Sequence, residues 1–392
     1  MNHLHLIGSM DPLTGGPCQG IRNTIPILKQ LGVNSEVACM DEPASSFLSE
    51  DDFPVHALGP GKTAWKYSPK LIPWLLENLP RFDVVIVNGL WQYHTYAINV
   101  ALSRIKAKSP KVYVMPHGML DPYFQKAPER KLKALRNWLF WKLIERKTVN
   151  NAQGLLFTCQ TELLLARQSF KPYLPQKEHN VGYGIEAPPA FKYSMKKAFL
   201  ELCPQAEGVP YLLFLSRVHH KKGVGLLIQA YAQILNELGE EDIPLLVIAG
   251  PGLDTLYGKR MLDLAAADER LSRKVVFTGM LTGDSKWGAF HGCEAFTLPS
   301  HQENFGIAVV EALACKKPVL ISSQVNIWRE IKEQGAGIVA DDTVEGTYQL
   351  LMEWVSASAK VKALMGENAY DCFTENFAIK PAALRMAKAL NY

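Results

Sequence analysis

The segment AFTLPSHQENFGIAVVEALACKKPVLIS, residues 295–322, leaves the chain few choices of fold. It opens on an apolar run, 295–298, that predicts a buried strand ended by Pro299 and Ser300. A polar turn follows, then a helical pattern from about Gly306 to Cys315, then a second buried strand over 318–321. Strand, helix and strand in that order make a parallel unit. Its turn lies at the carboxyl end of a strand, where open α/β sheets bind ligands. The turn holds Glu303, Asn304, Phe305 and Gly306, and Glu311 comes eight positions after Glu303. With a helix starting near Asn304, Glu311 sits about two turns in, above the same crevice. A helix start offers free backbone N–H groups to an anion. Two carboxylates can accept hydrogen bonds from hydroxyls on either side of that anion. A phosphate flanked by two polyols describes a nucleotide-sugar.

The rest of the chain repeats this alternation. Strands are expected at 4–7, 36–40, 83–87, 111–115, 154–158, 211–215, 244–249, 274–278 and 337–340, with helical patterns between many of them. The chain's 392 residues suit two or three domains. The run VGYGIEAPP at 181–189 breaks the pattern and reads as a linker. The expected division is a first α/β domain over 1–184, a linker over 185–208 and a second α/β domain over 209–375. A last helix, 376–392, is expected to cross back to the first domain.

Three further strand-end loops carry polar groups. After the first strand, a loop expected over 8–20 contains Gly15 and Gly16, which let the backbone approach a ligand closely. The chain holds neither a G-x-G-x-x-G fingerprint nor a G-x-x-x-x-G-K-[ST] loop. His117 follows the strand at 111–115 and precedes Gly118. Arg217 and Lys222 stand five apart in the turn after the strand at 211–215. Arg offers a planar fork and Lys a compact charge, so both can converge on one anion. A solvated basic turn is the plainer reading of the same residues.

With these motifs in place, the chain resembles the retaining glycosyltransferases of family GT4, above all the bacterial exopolysaccharide and lipopolysaccharide enzymes. The resemblance rests on E-x7-E at Glu303 and Glu311, R-x4-K-G at Arg217 to Gly223, the Gly15-Gly16 loop and the PHGMLDP phrase at 116–122. It implies a GT-B fold, α/β with two Rossmann-like doubly wound domains facing a cleft. It also implies that Arg217 and Lys222 hold a donor diphosphate and that Glu303 and His117 lie by the donor sugar. Glu311 would bond the ribose, and the backbone of Met280 would pair with the base. Asn304 stands where the family usually has Gly, and Asn tolerates left-handed backbone better than other side chains. The implied reaction moves a hexose, with glucose from UDP-glucose the expected donor, to a polysaccharide or lipid-linked saccharide, with retention and without a metal or cofactor. The alternatives are another GT-B enzyme, such as a nucleotide-sugar epimerase or a phosphorylase, and a non-catalytic nucleotide-sugar sensor.

A net charge of +4 is too small to argue for nucleic acid. Seven scattered cysteines, none in a C-x-x-C pair, suit reduced thiols in a cytosol rather than a disulfide frame or a zinc site. The amino terminus lacks the basic region of a signal peptide, and no run approaches a membrane span. Charge does cluster over 126–147, where eight Lys and Arg face two Glu, for a net +6. Leu132, Leu135, Leu139 and Leu143 recur there at helical spacing beside Trp138 and Trp141. One reading is a surface helix packed by its leucines. The other is a peripheral contact with an anionic membrane, on its cytoplasmic face.

Overall fold

The computed structural model describes residues 1–106, 108–127 and 130–391, and these divide into two compact units. Met1–Gly184 and the chain from Ile379 on form the first, and Ile185–Ala378 the second. The stretch 185–208 is built into the second unit. Its helix Tyr193–Leu202 buries Met195 and Phe199 against the helix Gly283–Gly292.

The first unit holds one parallel sheet of seven strands: β1 (Asn2–Ile7), β2 (Asn34–Cys39), β3 (Val55–Ala57), β4 (Val84–Asn88), β5 (Lys111–Met115), β6 (Gly154–Phe157) and β7 (Glu178–Asn180). Their order across the sheet is β3-β2-β1-β4-β5-β6-β7. The second unit holds six parallel strands: β8 (Tyr211–Leu215), β9 (Leu245–Ala249), β10 (Val275–Gly279), β11 (Ala295–Leu298), β12 (Val319–Ser322) and β13 (Gly337–Ala340). Their order is β10-β9-β8-β11-β12-β13. Both sheets are doubly wound. The winding reverses between β1 and β4 in one and between β8 and β11 in the other. A ligand crevice belongs at the carboxyl ends of those pairs.

Central strands such as β4, β9 and β12 are buried along their whole length. Burial on both faces is why they read as unbroken apolar runs. On β1 the alternation is instead His3 and His5 on one face, Leu4 and Leu6 on the other. The leucines pack with Leu71, Leu75, Val85 and Val114 in the main core of this unit. The last helix, Ile379–Ala389, brings Met386 and Ala387 against Val84, Ile86 and Met115.

The helix after β1 spans Gly16–Gln30 rather than beginning near residue 21. Pro17 stands in its first turn, where a missing N–H costs nothing, so Gly-Gly-Pro here opens a helix instead of lengthening a loop.

Candidate functional site

In the second unit the loops after β8 and β11 are locked to each other. Gly223 ends the short turn His220–Lys222 at φ 74°, and a Cβ there would collide with the Pro299 carbonyl. Only glycine allows both that backbone and that approach. The Lys221 carbonyl then accepts from Ser300 Oγ at 2.9 Å and from the His301 N–H at 2.8 Å. This seating delivers the Lys222 ammonium to the Glu303 carboxylate as a largely buried ion pair. Glu303 is fixed from its other side as well. Its N–H donates to the Gln324 carbonyl, and its own carbonyl accepts from Asn326, both at 2.9 Å.

Arg217 lies in the same loop, exposed, with no hydrogen bond or ion pair to any described residue. The loop's field is positive. His219 is held below its usual pKa, first by burial and then by the charges of Arg217 and the neighbouring basic residues.

The helix after β11 spans Ile307–Ala314, capped by Gly306 at φ 78°, ψ 68°. The left-handed residue of this turn is therefore Gly306, and Asn304 is not called on to take that conformation. Glu311 is the fifth helical residue, about one and a half turns in rather than two. Its carboxylate meets Lys286 Nζ at 2.8 Å. Phe305 is buried edge-on against Phe377, centroids 5.7 Å apart, so its ring anchors the turn. Met280 follows β10 and is two-thirds exposed. Among the described residues no group of three or more His, Cys, Asp or Glu is clustered as metal ligands would be.

In the first unit, Gly15 takes φ 97° and caps the helix that starts at Gly16, whose carbonyl accepts from Tyr183 Oη at 2.6 Å. The N–H groups of that helix start stand at the carboxyl end of β1. His117 stands beyond the end of β5 at φ 52°, a left-handed backbone that a side chain seldom adopts. Gly118 follows at φ 79°, its N–H held at 2.5 Å by the buried carboxylate of Glu162. His117 Nε2 lies 3.2 Å from Asn88 Oδ1, at the end of β4. Burial lowers its pKa to about 4, so the ring is neutral at pH 7.

Residues 15–179 match the family model described as glycosyl transferase 4-like domain, and residues 203–371 match glycosyl transferases group 1. The chain belongs to the GT4-type glycosyltransferases.

Among relatives of this GT4 chain, an uncharacterized glycosyltransferase, MJ1607 of Methanocaldococcus jannaschii, is 32% identical over 148 residues, 36% of each chain. A D-inositol 3-phosphate glycosyltransferase of Corynebacterium urealyticum is 23% identical over 208 residues, 51% of this chain and 47% of that one. The similarity thus spans about half or less of these relatives' length. In fold the likeness is end to end. Anabaena Alr3699/HepE, solved with UDP and glucose, superposes with a TM-score of 0.73 at 17% identity, over 100% of this chain and 99% of that one. The GT-B fold of two Rossmann-like units is shared.

The GT4 motif thus brings Arg217, Lys222, Glu303 and Glu311 to one end of the second sheet, and adds Lys286, which the sequence did not single out. Lys286 lies on another helix, 25 positions before Glu311, and no spacing rule joins them. Glu162, which seats Gly118, was likewise missed. The sequence put Asn88, which seats His117, with Gly89, Leu90 and Trp91 after a strand end where a ligand would sit, but gave it no role. Asn88 had one signal, its place at the end of a buried strand.

Proposed function

We propose that this chain transfers a hexose, glucose from UDP-glucose being the donor favoured here, to a saccharide or lipid-linked saccharide. The observation that carries this reading is the pair of Lys–Glu contacts at the switch point of the second sheet, Lys222–Glu303 and Lys286–Glu311, beside the uncommitted Arg217. Arg217 and Lys222 would neutralise the diphosphate. Glu303 would bond sugar hydroxyls and Glu311 the ribose. In the transfer, the sugar C1–O bond to the diphosphate breaks and a bond from the acceptor oxygen to C1 forms on the same face. The acceptor's proton passes to the leaving phosphate oxygen. Charge grows on the diphosphate in the transition state, so fixed cations supply most of the rate. Such a site has no need of a divalent ion.

The direct test is release of UDP from UDP-glucose, with and without an acceptor. The division of labour is read by calorimetry with UDP alone. Glu311→Ala should weaken UDP binding, while Glu303→Ala should leave it nearly intact and damage turnover. Equal loss in both would refute that assignment.

The basic stretch supports a membrane-bound acceptor. Its helix Lys131–Phe140 and the π-turn Trp141–Glu145 bury Asn137, Trp141 and Glu145 along one narrow stripe. Leu132, Leu135, Leu139 and Leu143 are 85%, 58%, 46% and 72% exposed, so the packed-leucine reading fails. Trp141 is core, stacked on Phe170 at 4.9 Å, whereas Trp138 stays outside under Lys142 Nζ. Pro128 and Glu129 of this stretch lie outside the described residues. An apolar stripe bordered by Lys131, Lys133, Arg136 and Lys142 suits an anionic lipid surface, at about 1 kcal/mol per basic residue. No helix among the described residues is long and apolar enough to cross a membrane. The protein should sediment with anionic vesicles at low salt and leave them at high salt. Reversing Lys131, Lys133 and Arg136 to Glu should abolish sedimentation. Equal partition onto neutral and anionic vesicles would sink the idea.

A further inference from the structure

His117 is held by a chain of hydrogen bonds whose directions can be worked out one by one. Asn88 Nδ2 donates to the Ile86 carbonyl at 3.0 Å. Flipping that amide would set its oxygen against a carbonyl oxygen, so the orientation is fixed. Asn88 Oδ1 is then an acceptor, and His117 Nε2, 3.2 Å away, must carry the proton between them. The backbone of Asn88 is fixed in turn, since its carbonyl accepts from His94 Nε2 at 3.1 Å inside the core. His117 Nδ1 bonds to no described residue and is absent from the buried orphaned atoms, which leaves it in contact with solvent.

We propose that Asn88 is a positioning residue that fixes His117 as the tautomer protonated at Nε2, so that Nδ1 is presented as a bare acceptor. Such an atom receives a hydrogen bond from a hydroxyl and repels a phosphate or carboxylate oxygen, which has no proton to give. Such an acceptor would therefore take a sugar hydroxyl and turn away an anionic oxygen, a preference that rests on the donor reading above. The surroundings keep the ring neutral. Among the described residues, the titratable side chains that share its cavity are His5 of β1, itself buried with both ring nitrogens unpartnered, and the Tyr183 phenol, which burial holds protonated. His5, Asn88 and His117 border a cavity of about 20 Å³ with Thr24, Met115 and Tyr183. That is room for about one water. Glu162 is spent on Gly118 and on Thr158. The left-handed backbone of His117 is thus clamped from Asn88 on one side and Glu162 on the other, which is how a strained residue is kept at a working position.

The test is nitrogen NMR of the full chain labelled at histidine, with the His117 signal assigned through His117→Gln. Long-range proton–nitrogen correlations report the tautomer directly, with no ligand present. At pH 7 the expected pattern is a protonated Nε2 and an unprotonated Nδ1, unchanged down to pH 5.5. Asn88→Ala should give mixed tautomers. Asn88→Asp should draw a second proton and convert the ring to imidazolium at pH 7. An Nδ1-protonated or doubly protonated ring in the unaltered protein overturns the proposal, and so does an Asn88→Ala spectrum like the parent's. Adding UDP-glucose reads the donor hypothesis separately. If the tautomer is as stated and Nδ1 does not shift, the hydroxyl contact fails while the role of Asn88 stands.

Discussion

Arg217→Ala should lower kcat/KM for the nucleotide-sugar by about 30- to 1000-fold while leaving the fold intact. The loss corresponds to about 2–4 kcal/mol of transition-state stabilisation, the usual worth of one charge-assisted contact to developing charge in a preorganised site. Stability should hold because Arg217 is exposed and spends no hydrogen bond on the rest of the chain, and surface truncations of that kind stay within about 0.5 kcal/mol. This makes it a cleaner probe than Lys222, whose removal would leave the Glu303 carboxylate half-buried without its cation. Arg217→Lys should recover only part of the rate, since an ammonium cannot bridge two phosphate oxygens as a guanidinium does. The measurement is steady-state UDP release, with circular dichroism and thermal melting as the fold control. Near-normal kcat/KM in Arg217→Ala would remove the diphosphate from this loop.

What could be read in advance was whatever is written locally. The segment from β11 to β12 carries its own strand period, helix period and turn residues, so its strands, turn and helix followed from one stretch of chain. Two edge strands, β3 and β7, went unread. Each is three residues long, VHA and EHN, only partly buried, too short for any alternation to register. The Leu132–Leu143 spacing did predict a helix, but not which face would be packed. That was decided by Asn137, Trp141 and Glu145, two of them polar; other elements of the first unit offer partners to Trp141 and Glu145, while Asn137 accepts from its neighbour Arg136. Trp91 N–H and Thr95 Oγ1 both donate to Glu145 Oε1 at 2.8 Å. A buried polar stripe bonded this way looks, in sequence, like the solvent side of a helix. Pairings such as Lys286 with Glu311 are in the same position, since the contact exists only once two helices have been placed.

The first unit should be acid-labile well before the second. His3, His5 and His94 are buried almost completely, and burial lowers their pKa values from 6.5 to about 4, 3 and 4. In the unfolded chain they bind protons below about pH 6.5, and in the folded one they do not until about pH 4. The unfolded state therefore holds more protons in that window. Stability is fully present above pH 6.5 and is lost as pH falls toward 4. Glu145 works the other way. Burial raises its pKa to about 7, so between roughly pH 7 and 4.5 the folded state binds the extra proton and gains stability as pH falls. Each group contributes about 1.4 kcal/mol per pH unit, and His117, lowered to about 4, joins the three, so four losses against one gain leave a net loss of about 4 kcal/mol per unit near pH 5.5. Domains are stable by about 5–15 kcal/mol in all, so unfolding of this unit should set in near pH 5. Hydrogen exchange resolved by peptide would see it, with β1, β4 and β5 losing protection while β8, β11 and β12 keep theirs. His5→Val should flatten the pH dependence by about one group's share, since a β-branched apolar side chain suits a central strand and takes up no proton. Loss of protection in both units at one common pH would mean that these histidines are not what acid attacks. An unchanged pH slope in His5→Val would mean the same for His5 itself.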